Sequence, residues 1–362
     1  MKPASPLTDP ALRASCTRFL SGHGPADAAG WVRKLAESPH LGLGLDVYSE
    51  GPAFTLLEER VAGLLGKPAA LFFHKGVTAQ QAALLAHIGS TGRRVVAVHP
   101  KSHLAQDEMD ALDRLAGLYP HRLGGDHAPF TAADLERSAE TFGVVTVELP
   151  LRRAGFLAPS WEDLVAISDW CRAQAVPFHL DGARLWEIAP HYGRTLAEIS
   201  DLADSVYVSF YKGLGGMGGC VLAGTPALIA AARPWRNRFG GDLPCIFPYV
   251  ITALDGLDRH LPRMPAYHAH ALAIAEAIAG VPGLTVLPQP PAGNSFQVHF
   301  DIGRDALAER AAAVARTDKT WLLSRVLPTA LPDRAISEIV VGAATLDWTP
   351  SEAALALGEL LG

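Results

Sequence analysis

Two ionisable residues that close buried segments suggest the chemistry of this 362-residue chain. Asp181 closes the run VPFHLD, and Lys212 closes the run SVYVSFYK. Such nearly apolar runs are typical of parallel strands, whose carboxyl ends share the sheet edge where ligands bind. An acid that pairs a pyridinium nitrogen and a lysine that forms a Schiff base are the protein groups that pyridoxal phosphate requires. The pair therefore predicts a pyridoxal-phosphate site, with Ser209 placed to offer a hydroxyl near the phosphate.

Each of these residues alone has an ordinary structural interpretation. A strand-end aspartate is often a helix N-cap, and a single lysine is usually a solvated charge. The run at residues 213–219 formally contains GxGxxG, but the strand-like segment CVLAG follows it, whereas pyrophosphate binding needs a helix N-terminus there. The acid and the lysine together favour a functional site, and we do not expect a dinucleotide fold.

The elements that must position these residues alternate between helical and strand patterns. Apolar residues recur at helical spacing in segments 55–65, 78–87, 102–119 and 160–174. Short apolar strands are predicted between them at AALFFH, RRVVAVHP and GVVTVELP, and the two runs described above follow. Strands of this kind separated by helices indicate an α/β fold with a mostly parallel sheet covered on both faces.

Beyond about residue 250 the pattern of predicted helices and strands changes. A long alanine-rich helix is predicted at 265–279, and the strands NSFQVHFDI and EIVVGAATL alternate with further helices, the first at 305–316. We therefore expect a large domain at residues 1–250, whose N-terminal segment 1–45 partly lines the site. A small C-terminal α/β domain is expected at 251–362.

Composition and charge exclude several classes of protein. Charged residues make up 19% of the chain and hydrophobic residues 49%, which excludes a disordered chain or a coiled coil. The 31 Lys and Arg against 37 Asp and Glu give a net charge of -6, which argues against a nucleic-acid partner. The start MKPASPLTDP lacks the apolar region of a signal peptide, and no apolar run is long enough to span a membrane. We therefore expect a cytoplasmic protein without membrane contact.

Neither disulfides nor a metal site are expected. The sequence has four cysteines, far apart and without CxxC spacing, at Cys16, Cys171, Cys220 and Cys245. His268 and His270 lie two residues apart on a predicted helix and therefore face different directions. The HExxH spacing that zinc enzymes use does not occur in the sequence.

Four segments of the sequence carry a family likeness, namely DVYSEGPAFTLLEERVAGLLGKPAALFF, HLAQDEMDA, HLDGARLWE and SVYVSFYKGLGG. They resemble the low-specificity threonine aldolase and β-eliminating lyase group of fold-type-I pyridoxal-phosphate enzymes. The likeness covers about residues 46–225 and is most specific in HLDGAR and in the SxxKGLG lysine motif. It implies a large, mostly parallel sheet domain that binds the cofactor and a small C-terminal α/β domain.

Carried over residue by residue, the resemblance gives roles to five positions. It implies that Lys212 forms the Schiff base with pyridoxal phosphate and that Asp181 pairs the pyridine nitrogen. It implies that His103 stacks on the cofactor ring, and His103 is also the candidate catalytic base because histidine titrates near neutrality. Gly76 and Val77 open the helix after AALFFH and would give backbone N–H groups to the phosphate, since helix N-termini favour anions.

The sequence departs from the family at the phosphate turn. Where the family has Ser-Gly-Thr, this chain has Lys75-Gly76-Val77, so two hydroxyl donors are lost and an ammonium is gained. We expect Lys75 to supply charge to the phosphate in their place. A solvated loop lysine is the alternative interpretation.

The groups that would hold the substrate also differ from the family pattern. The resemblance implies that Arg184 of HLDGAR reaches the substrate carboxylate. The family's loop Asn-Thr-His-Asn reads ELPLRR at residues 148–153 here, and the place of its C-terminal arginine reads SEIVV at 337–341. Arg152 or Arg153 is the candidate replacement for the missing carboxylate clamp, and Ser21, Gly22 or His23 in the opening stretch FLSGHG could line the site. The family's Gly-Gly-Gly-Met-Arg segment reads FGGDLP at residues 239–244, without its arginine, for which Arg236 and Arg238 of a neighbouring subunit could substitute.

Together these features predict a pyridoxal-phosphate-dependent carbon–carbon lyase that cleaves a β-hydroxy-α-amino acid to glycine and an aldehyde. A β-eliminating lyase or racemase on another amino acid would use the same residues, with Lys212 removing the Cα proton. An alternative of another class is a non-catalytic binding protein that keeps the fold, against which the retention of Lys212 and Asp181 argues. The hydrophobic surplus and the resemblance predict a homodimer or homotetramer with sites at the subunit interface.

Overall fold

Helices and strands alternate along most of the chain, as the apolar patterning predicts. The computed structural model describes residues 5–25 and 27–362. The first elements are α1 (Pro10–Ala14), β1 (Arg18–Phe19) and α2 (Ala28–Ala36). The alternating stretch then comprises α3 (Pro52–Leu65), β2 (Ala69–Phe73), α4 (Gly76–Thr91), β3 (Val95–Val98), α5 (His103–Gln106), α6 (Ala111–Arg114), β4 (Tyr119–Arg122), α7 (Ala132–Arg137), β5 (Phe142–Glu148), α8 (Trp161–Ala173), β6 (Phe178–Asp181), α9 (Leu185–Tyr192), α10 (Leu196–Asp201), β7 (Ser205–Ser209) and β8 (Cys220–Gly224).

The C-terminal third continues with longer helices and a second set of strands. These elements are α11 (Pro226–Arg238), α12 (Phe247–Arg259), α13 (Met264–Ala279), β9 (Leu284–Leu287), β10 (Ser295–Phe300), α14 (Arg304–Thr317), β11 (Thr320–Trp321), β12 (Val326–Pro328), β13 (Ala335–Val340) and α15 (Pro350–Gly358). Among residues 5–25 and 27–362, no helix combines the length and the apolar character that crossing a membrane requires.

The central sheet has seven strands in the order β2-β8-β7-β6-β5-β3-β4. β8 is antiparallel to both of its neighbours and the other pairings are parallel, which confirms the predicted, mostly parallel α/β sheet. Residues of β5 and β7 are buried along the whole strand, as their nearly apolar sequences allow in a sheet covered on both faces. Glu148, Asp181 and Ser209 end β5, β6 and β7, so they mark one edge of this sheet, the carboxyl edge.

Helix α4 packs on this sheet with an alanine-rich face. Four alanines, Ala79, Ala82, Ala83 and Ala86, belong to a core cluster that also contains Tyr207 of β7. The polar residues Gln80, Gln81 and His87 of the same helix are buried as well. Buried polar side chains require hydrogen-bond partners, so this helix must find them in the sheet or in the neighbouring loops.

The segment 102–119, predicted as one helix, is broken into α5 and α6, which have four residues each. Met109 and Asp110 lie between them with φ values of 52° and 58°. These left-handed conformations end the helical path, because consecutive helical hydrogen bonds require negative φ. The prediction of one helix was therefore wrong, and the break turns Glu108 back toward His103.

The chain divides into two compact units, which differ from the domain boundaries expected from the sequence. The larger unit is Lys34–Leu261, and the smaller one combines the N-terminal residues through Arg33 with Pro262–Gly362. The smaller unit contains an antiparallel sheet of order β12-β13-β10-β9. Because β1 pairs in parallel with β11, the start of the chain joins the C-terminal unit rather than the large domain.

Candidate active site

A cavity of about 100 Å³ lies at the carboxyl edge of the central sheet. Its lining residues belong to the larger unit and come from the start of α4, from α5 and the loop after it, and from the residues that end or follow β6 and β7. They are Lys75, Gly76, Val77, Gln80, His103, Asp107, Glu108, Asp181, Ala183, Tyr207, Tyr211 and Lys212. Six of the residues that the sequence singled out therefore share one cavity.

Lys212 lies three residues beyond the end of β7. Burial, followed by the nearby guanidinium of Arg184, lowers the pKa of Lys212 to about 8. Roughly a tenth of such amines is neutral at pH 7, against fewer than about one in a thousand for an ordinary lysine. Since the neutral amine is the form that attacks a carbonyl, Lys212 is prepared for covalent chemistry. The next residue is held by a hydrogen bond from the Gly213 N–H to Glu187 Oε1 at 2.8 Å.

Two buried carboxyl groups lie side by side at the strand ends. Asp181 of β6 and Glu148 of β5 are paired across the strands, and Asp181 Oδ1 accepts from the Ala183 N–H at 3.1 Å. Glu148 accepts from the backbone N–H groups of His103 (2.5 Å) and Arg152 (3.1 Å). Burial and then the negative charge of Asp181 raise the pKa of Glu148 to about 7. Near neutral pH a large fraction of Glu148 is therefore protonated, which relieves the repulsion between the two carboxyl groups.

His103 is held by a second carboxylate, Glu108. His103 Nδ1 lies 3.1 Å from Glu108 Oε1, and Gln81 Nε2 of α4 donates to Glu108 Oε2 at 2.9 Å. Burial acts to lower the pKa of His103, but the hydrogen bond to Glu108 and the charge of Asp181 outweigh it, so the pKa is raised. With Nδ1 engaged by Glu108, Nε2 is the ring nitrogen left to meet a ligand.

The N-terminus of α4 forms another wall of the cavity. A β-carbon at Gly76 would collide with the hydroxyl of Tyr207, so only glycine lets the helix start this close to β7. Lys75 is the N-cap residue and contributes no side-chain cap, and its side chain is exposed. The first N–H groups of a helix attract anions, and here they are joined by an ammonium.

Three other predicted residues lie outside the lining of this cavity. Ser209 is buried and its hydroxyl donates to the Ala183 carbonyl at 2.8 Å, so it fastens the two strand ends instead of offering that proton to a phosphate. Arg184 is the N-cap residue of α9, and its guanidinium lies 5.4 Å from the ring centre of Phe156. Ser21 belongs to the smaller unit, where its hydroxyl accepts from the Val340 N–H at 2.9 Å.

The side chain of Arg236, a candidate for the site of a neighbouring subunit, is bonded to groups of its own chain. Its side chain is 2% exposed, donates from Nη1 to the Phe72 carbonyl at 3.1 Å, and forms an ion pair with Asp242 at 2.6 Å. Through these two contacts Arg236 links Asp242, in the segment after α11, to Phe72 of β2. Arg236 is therefore used within its own chain.

The sequence analysis missed several polar residues around the cavity. Glu108 and Glu187 both lie inside the quoted segments HLAQDEMDA and HLDGARLWE, yet neither was given a role. Glu148 was read only as the start of a loop. A signal was present for Glu148, because an acid that closes the apolar run GVVTVE requires a partner when it is buried.

Comparisons with known proteins agree with this geometry. The family model for β-eliminating lyases matches residues 36–302. Low-specificity L-threonine aldolase 1 of Arabidopsis thaliana is 26% identical over 275 residues, which are 73% of this chain and 76% of the relative.

Two solved structures resemble the chain over nearly its full length. A candidate L-allo-threonine aldolase from Listeria monocytogenes is 32% identical, with a TM-score of 0.90 and coverage of 98% of both chains. A candidate aromatic amino acid β-eliminating lyase or threonine aldolase from Exiguobacterium sp. 255-15 is 33% identical, with a TM-score of 0.89 and coverage of 97% of this chain and 98% of that one. The predicted fold-type-I architecture is thereby confirmed.

Proposed function

The chain belongs to the β-eliminating lyase family, and on that basis we propose that it is a pyridoxal-phosphate-dependent lyase that cleaves a β-hydroxy-α-amino acid to glycine and an aldehyde. The observation that carries the proposal is the pairing of Lys212, whose pKa is lowered to about 8, with the buried Asp181 in one cavity. The relatives named as threonine aldolases favour the β-hydroxy substrate.

The side chains around the cavity fit pyridoxal phosphate. Gly76 leaves no room for a β-carbon at the helix N-terminus, so the backbone N–H groups of Gly76 and Val77 would hold the phosphate, with Lys75 adding charge. Asp181 would hold the proton on the pyridine nitrogen, and Lys212 would attach to the aldehyde carbon. His103 would lie on the ring face, oriented by Glu108.

When bound, pyridoxal phosphate supplies an electron sink that stabilises negative charge at the Cα atom of an amino acid. Asp181 would keep the ring nitrogen protonated, which the electron sink requires. His103 would accept the substrate hydroxyl proton at Nε2 as the Cα–Cβ bond breaks, and Lys212 would return a proton to Cα, which yields glycine. Arg184 is the proposed partner of the substrate carboxylate. Because Glu108 raises the pKa of His103, we expect cleavage to accelerate as the pH rises through that pKa.

A β-eliminating lyase is the second candidate, and the name of the Exiguobacterium neighbour and the family description favour it. In that reaction Lys212 would remove the Cα proton and a leaving group would depart from Cβ, so no base for a hydroxyl is needed. The two candidates therefore differ in the products and in their dependence on His103.

The test uses the purified protein with added pyridoxal phosphate and three substrates: threonine, phenylserine and a cysteine S-conjugate. Glycine together with acetaldehyde or benzaldehyde supports the aldolase, whereas a 2-oxo acid with ammonia supports β-elimination. If neither pair of products appears and the protein does not take up the cofactor, both enzyme candidates are wrong.

The assembly and location expected from the sequence stay predictions. We expect a homodimer or homotetramer, which sedimentation of the cofactor-loaded protein would measure. The cytoplasmic location, and the part of Ser21 in binding substrate, are likewise predictions without a structural test.

A further inference from the structure

A chain of buried polar side chains connects α4 to two strands of the central sheet. His179 Nε2 lies 2.6 Å from Gln80 Oε1, and His179 Nδ1 lies 2.7 Å from Ser205 Oγ. Ser205 Oγ also lies 2.7 Å from His87 Nε2. His179 and Ser205 are 0% exposed, Gln80 is 2% exposed and His87 is 6% exposed. We call these four residues the histidine–serine network.

Both histidines of the network are neutral at ordinary pH. Burial lowers the pKa of His87 to about 4 and that of His179 to about 3. A neutral imidazole has one donor nitrogen and one acceptor nitrogen. With Gln80 Oε1 as the acceptor, His179 donates from Nε2 and accepts from the Ser205 hydroxyl at Nδ1, and His87 donates to Ser205. Every hydrogen bond in the network then has a donor and an acceptor.

The network joins the three elements that lead to the proposed cofactor contacts. Gln80 and His87 belong to α4, which begins at Gly76. His179 belongs to β6, which ends at Asp181, and Ser205 begins β7, the strand that leads to Lys212. A shift of α4 along the sheet would therefore change the separation between the phosphate-binding N–H groups and the two residues that hold the ring.

Apolar packing holds α4 unevenly against the sheet. Leu84 and Ile88 pack with residues of β3 and β5, whereas toward β2, β7 and β8 the core residues of α4 are the small Ala79, Ala82, Ala83 and Ala86, which interlock little with the strands. On the side of β7, directional hydrogen bonds at two points fix the axial position, and residues 80 and 87 are about 10 Å apart along a helix. Fixing the alignment of one element against another is the best-attested role of buried polar groups in proteins.

We propose that Gln80, His87, His179 and Ser205 are positioning residues that fix α4 against β6 and β7 and so hold the phosphate-binding N-terminus of α4 at its working distance from Asp181 and Lys212. The proposal rests on the proposed function, since it assigns the network to the same cofactor pocket. It concerns the phosphate end of the ligand, because the proposed ring contacts Asp181, Lys212 and His103 lie outside α4.

The test compares the binding of pyridoxal phosphate and of pyridoxal, which lacks the phosphate, to Ser205→Ala. Removal of the hydroxyl breaks both histidine contacts of Ser205 and so removes the side-chain hydrogen bond between α4 and the start of β7. We expect the affinity for pyridoxal phosphate to fall by about tenfold while the affinity for pyridoxal changes by less than about twofold. General destabilisation would weaken the binding of both compounds alike, so the ratio of the two affinities isolates positioning.

Thr146→Val is the matched control. Thr146 is the neighbour of His179 across β5 and β6, is buried, and donates from its hydroxyl to the Ala97 carbonyl of β3 at 2.8 Å. The variant removes a buried hydroxyl from the same face of the sheet and leaves all four residues of the histidine–serine network in place. We expect it to lower the melting temperature but to keep the parent's ratio of affinities.

His87→Met supplies a second variant in case Ser205→Ala does not fold. His87 lies two helical turns beyond Gln80, outside the lining of the cofactor cavity, and methionine is a good helix former. The same loss of preference for the phosphorylated compound is expected. If the parent prefers pyridoxal phosphate over pyridoxal and both variants keep that preference, the network proposal is wrong and the proposed function is unaffected. A parent that binds neither compound overturns the proposed function and this proposal with it.

Discussion

The two edges of the central sheet hold cavities of opposite character. The cavity at the carboxyl edge measures about 100 Å³, whereas the one at the amino edge, where β6 and β7 begin, measures about 1040 Å³. At the amino edge, the charged groups of Lys67 and Asp204 bond to the backbone. Lys67 Nζ donates to the Ala203 carbonyl at 2.7 Å, and an oxygen of Asp204 accepts from the Phe178 N–H at 2.7 Å. At the carboxyl edge the ionisable groups act mainly on one another.

The difference shows that cavity size does not identify the active site in this protein. The groups at the amino edge satisfy the ends of strands and helices, which is a structural use of charge. At the carboxyl edge, Lys212, Glu148 and His103 all have shifted pKa values because each feels the burial and the charge of its neighbours. Convergent groups that perturb each other are the mark of a site built for chemistry.

The largest effect is expected from Lys212→Met, which keeps the aliphatic stem and removes the amine. Turnover should fall by at least about four powers of ten, the scale seen when the group that forms the covalent bond is removed. The absorbance of the covalently attached cofactor should disappear as well. The melting temperature should be equal to or above that of the parent, because a buried amine no longer has to be desolvated. Turnover that survives this change would place the chemistry elsewhere.

His103→Phe should produce the next largest effect, because it keeps a stacking ring and removes the nitrogen that moves a proton. We expect kcat for aldol cleavage to fall by about a hundredfold, while pyridoxal-phosphate affinity changes by less than about threefold. Stopped-flow assays of aldehyde release and a cofactor titration measure the two quantities. His103→Asn is the counterpart that loses the ring, and it should weaken the binding of the cofactor as well.

If His103→Phe cleaves the β-hydroxy substrate at the parent rate, His103 only stacks, and another group must accept the hydroxyl proton. A second signature separates the roles of His103. With the base present, kcat should rise with pH through the raised pKa of His103, and His103→Phe should abolish that rise. An unchanged pH profile would contradict the base assignment.

The sequence predicted the fold and the covalent part of this site better than its polar surroundings. β5, β6 and β7 lie in mostly apolar runs, so their ends, and therefore Asp181 and Lys212, could be placed on one edge by a general rule for parallel sheets. Glu108 could not be placed, because the left-handed residues Met109 and Asp110 break a segment whose spacing looked helical throughout. Single-residue conformations of this kind leave no periodic trace in a sequence.

The same limit applies to the start of the chain. Arg18–Phe19 forms only a two-residue strand, too short to show a pattern, and its pairing with β11 joins residues far apart in sequence. The expected large domain therefore included a segment that belongs with the C-terminal unit. The hydrogen bond from Ser209 to the Ala183 carbonyl could not be predicted for a related reason, because its acceptor is a backbone group with no signature in the sequence.

Lys75→Met should have a smaller effect, confined to the cofactor. The ammonium is exposed, so its contribution to phosphate binding is at the low end for a charge-assisted bond, and we expect about tenfold weaker pyridoxal-phosphate affinity. The affinity for pyridoxal should not change. Lys101→Met is the control, since Lys101 lies 4.0 Å from Asp126 and does not line the cavity. If the parent and Lys75→Met bind pyridoxal phosphate with equal affinity, Lys75 is a solvated lysine without a part in binding the phosphate.

The smallest effect on activity is expected from Lys67→Met, the same substitution as at Lys212 applied to the opposite edge. Burial lowers the pKa of Lys67 too, so a shifted pKa alone does not distinguish the two lysines. Both lysines also lie near acids and an arginine, which for Lys67 are Asp201, Asp204 and Arg172. They differ in their place, because Lys67 donates to a backbone carbonyl at the amino edge whereas Lys212 lines the cavity that also contains Asp181 and His103. Turnover of Lys67→Met should therefore stay within about twofold of the parent, while the melting temperature falls by about 2–4 °C through the lost hydrogen bond. A drop in turnover as large as that of Lys212→Met would mean that the larger cavity takes part in the reaction, and the distinction between a structural edge and a chemical edge would fail.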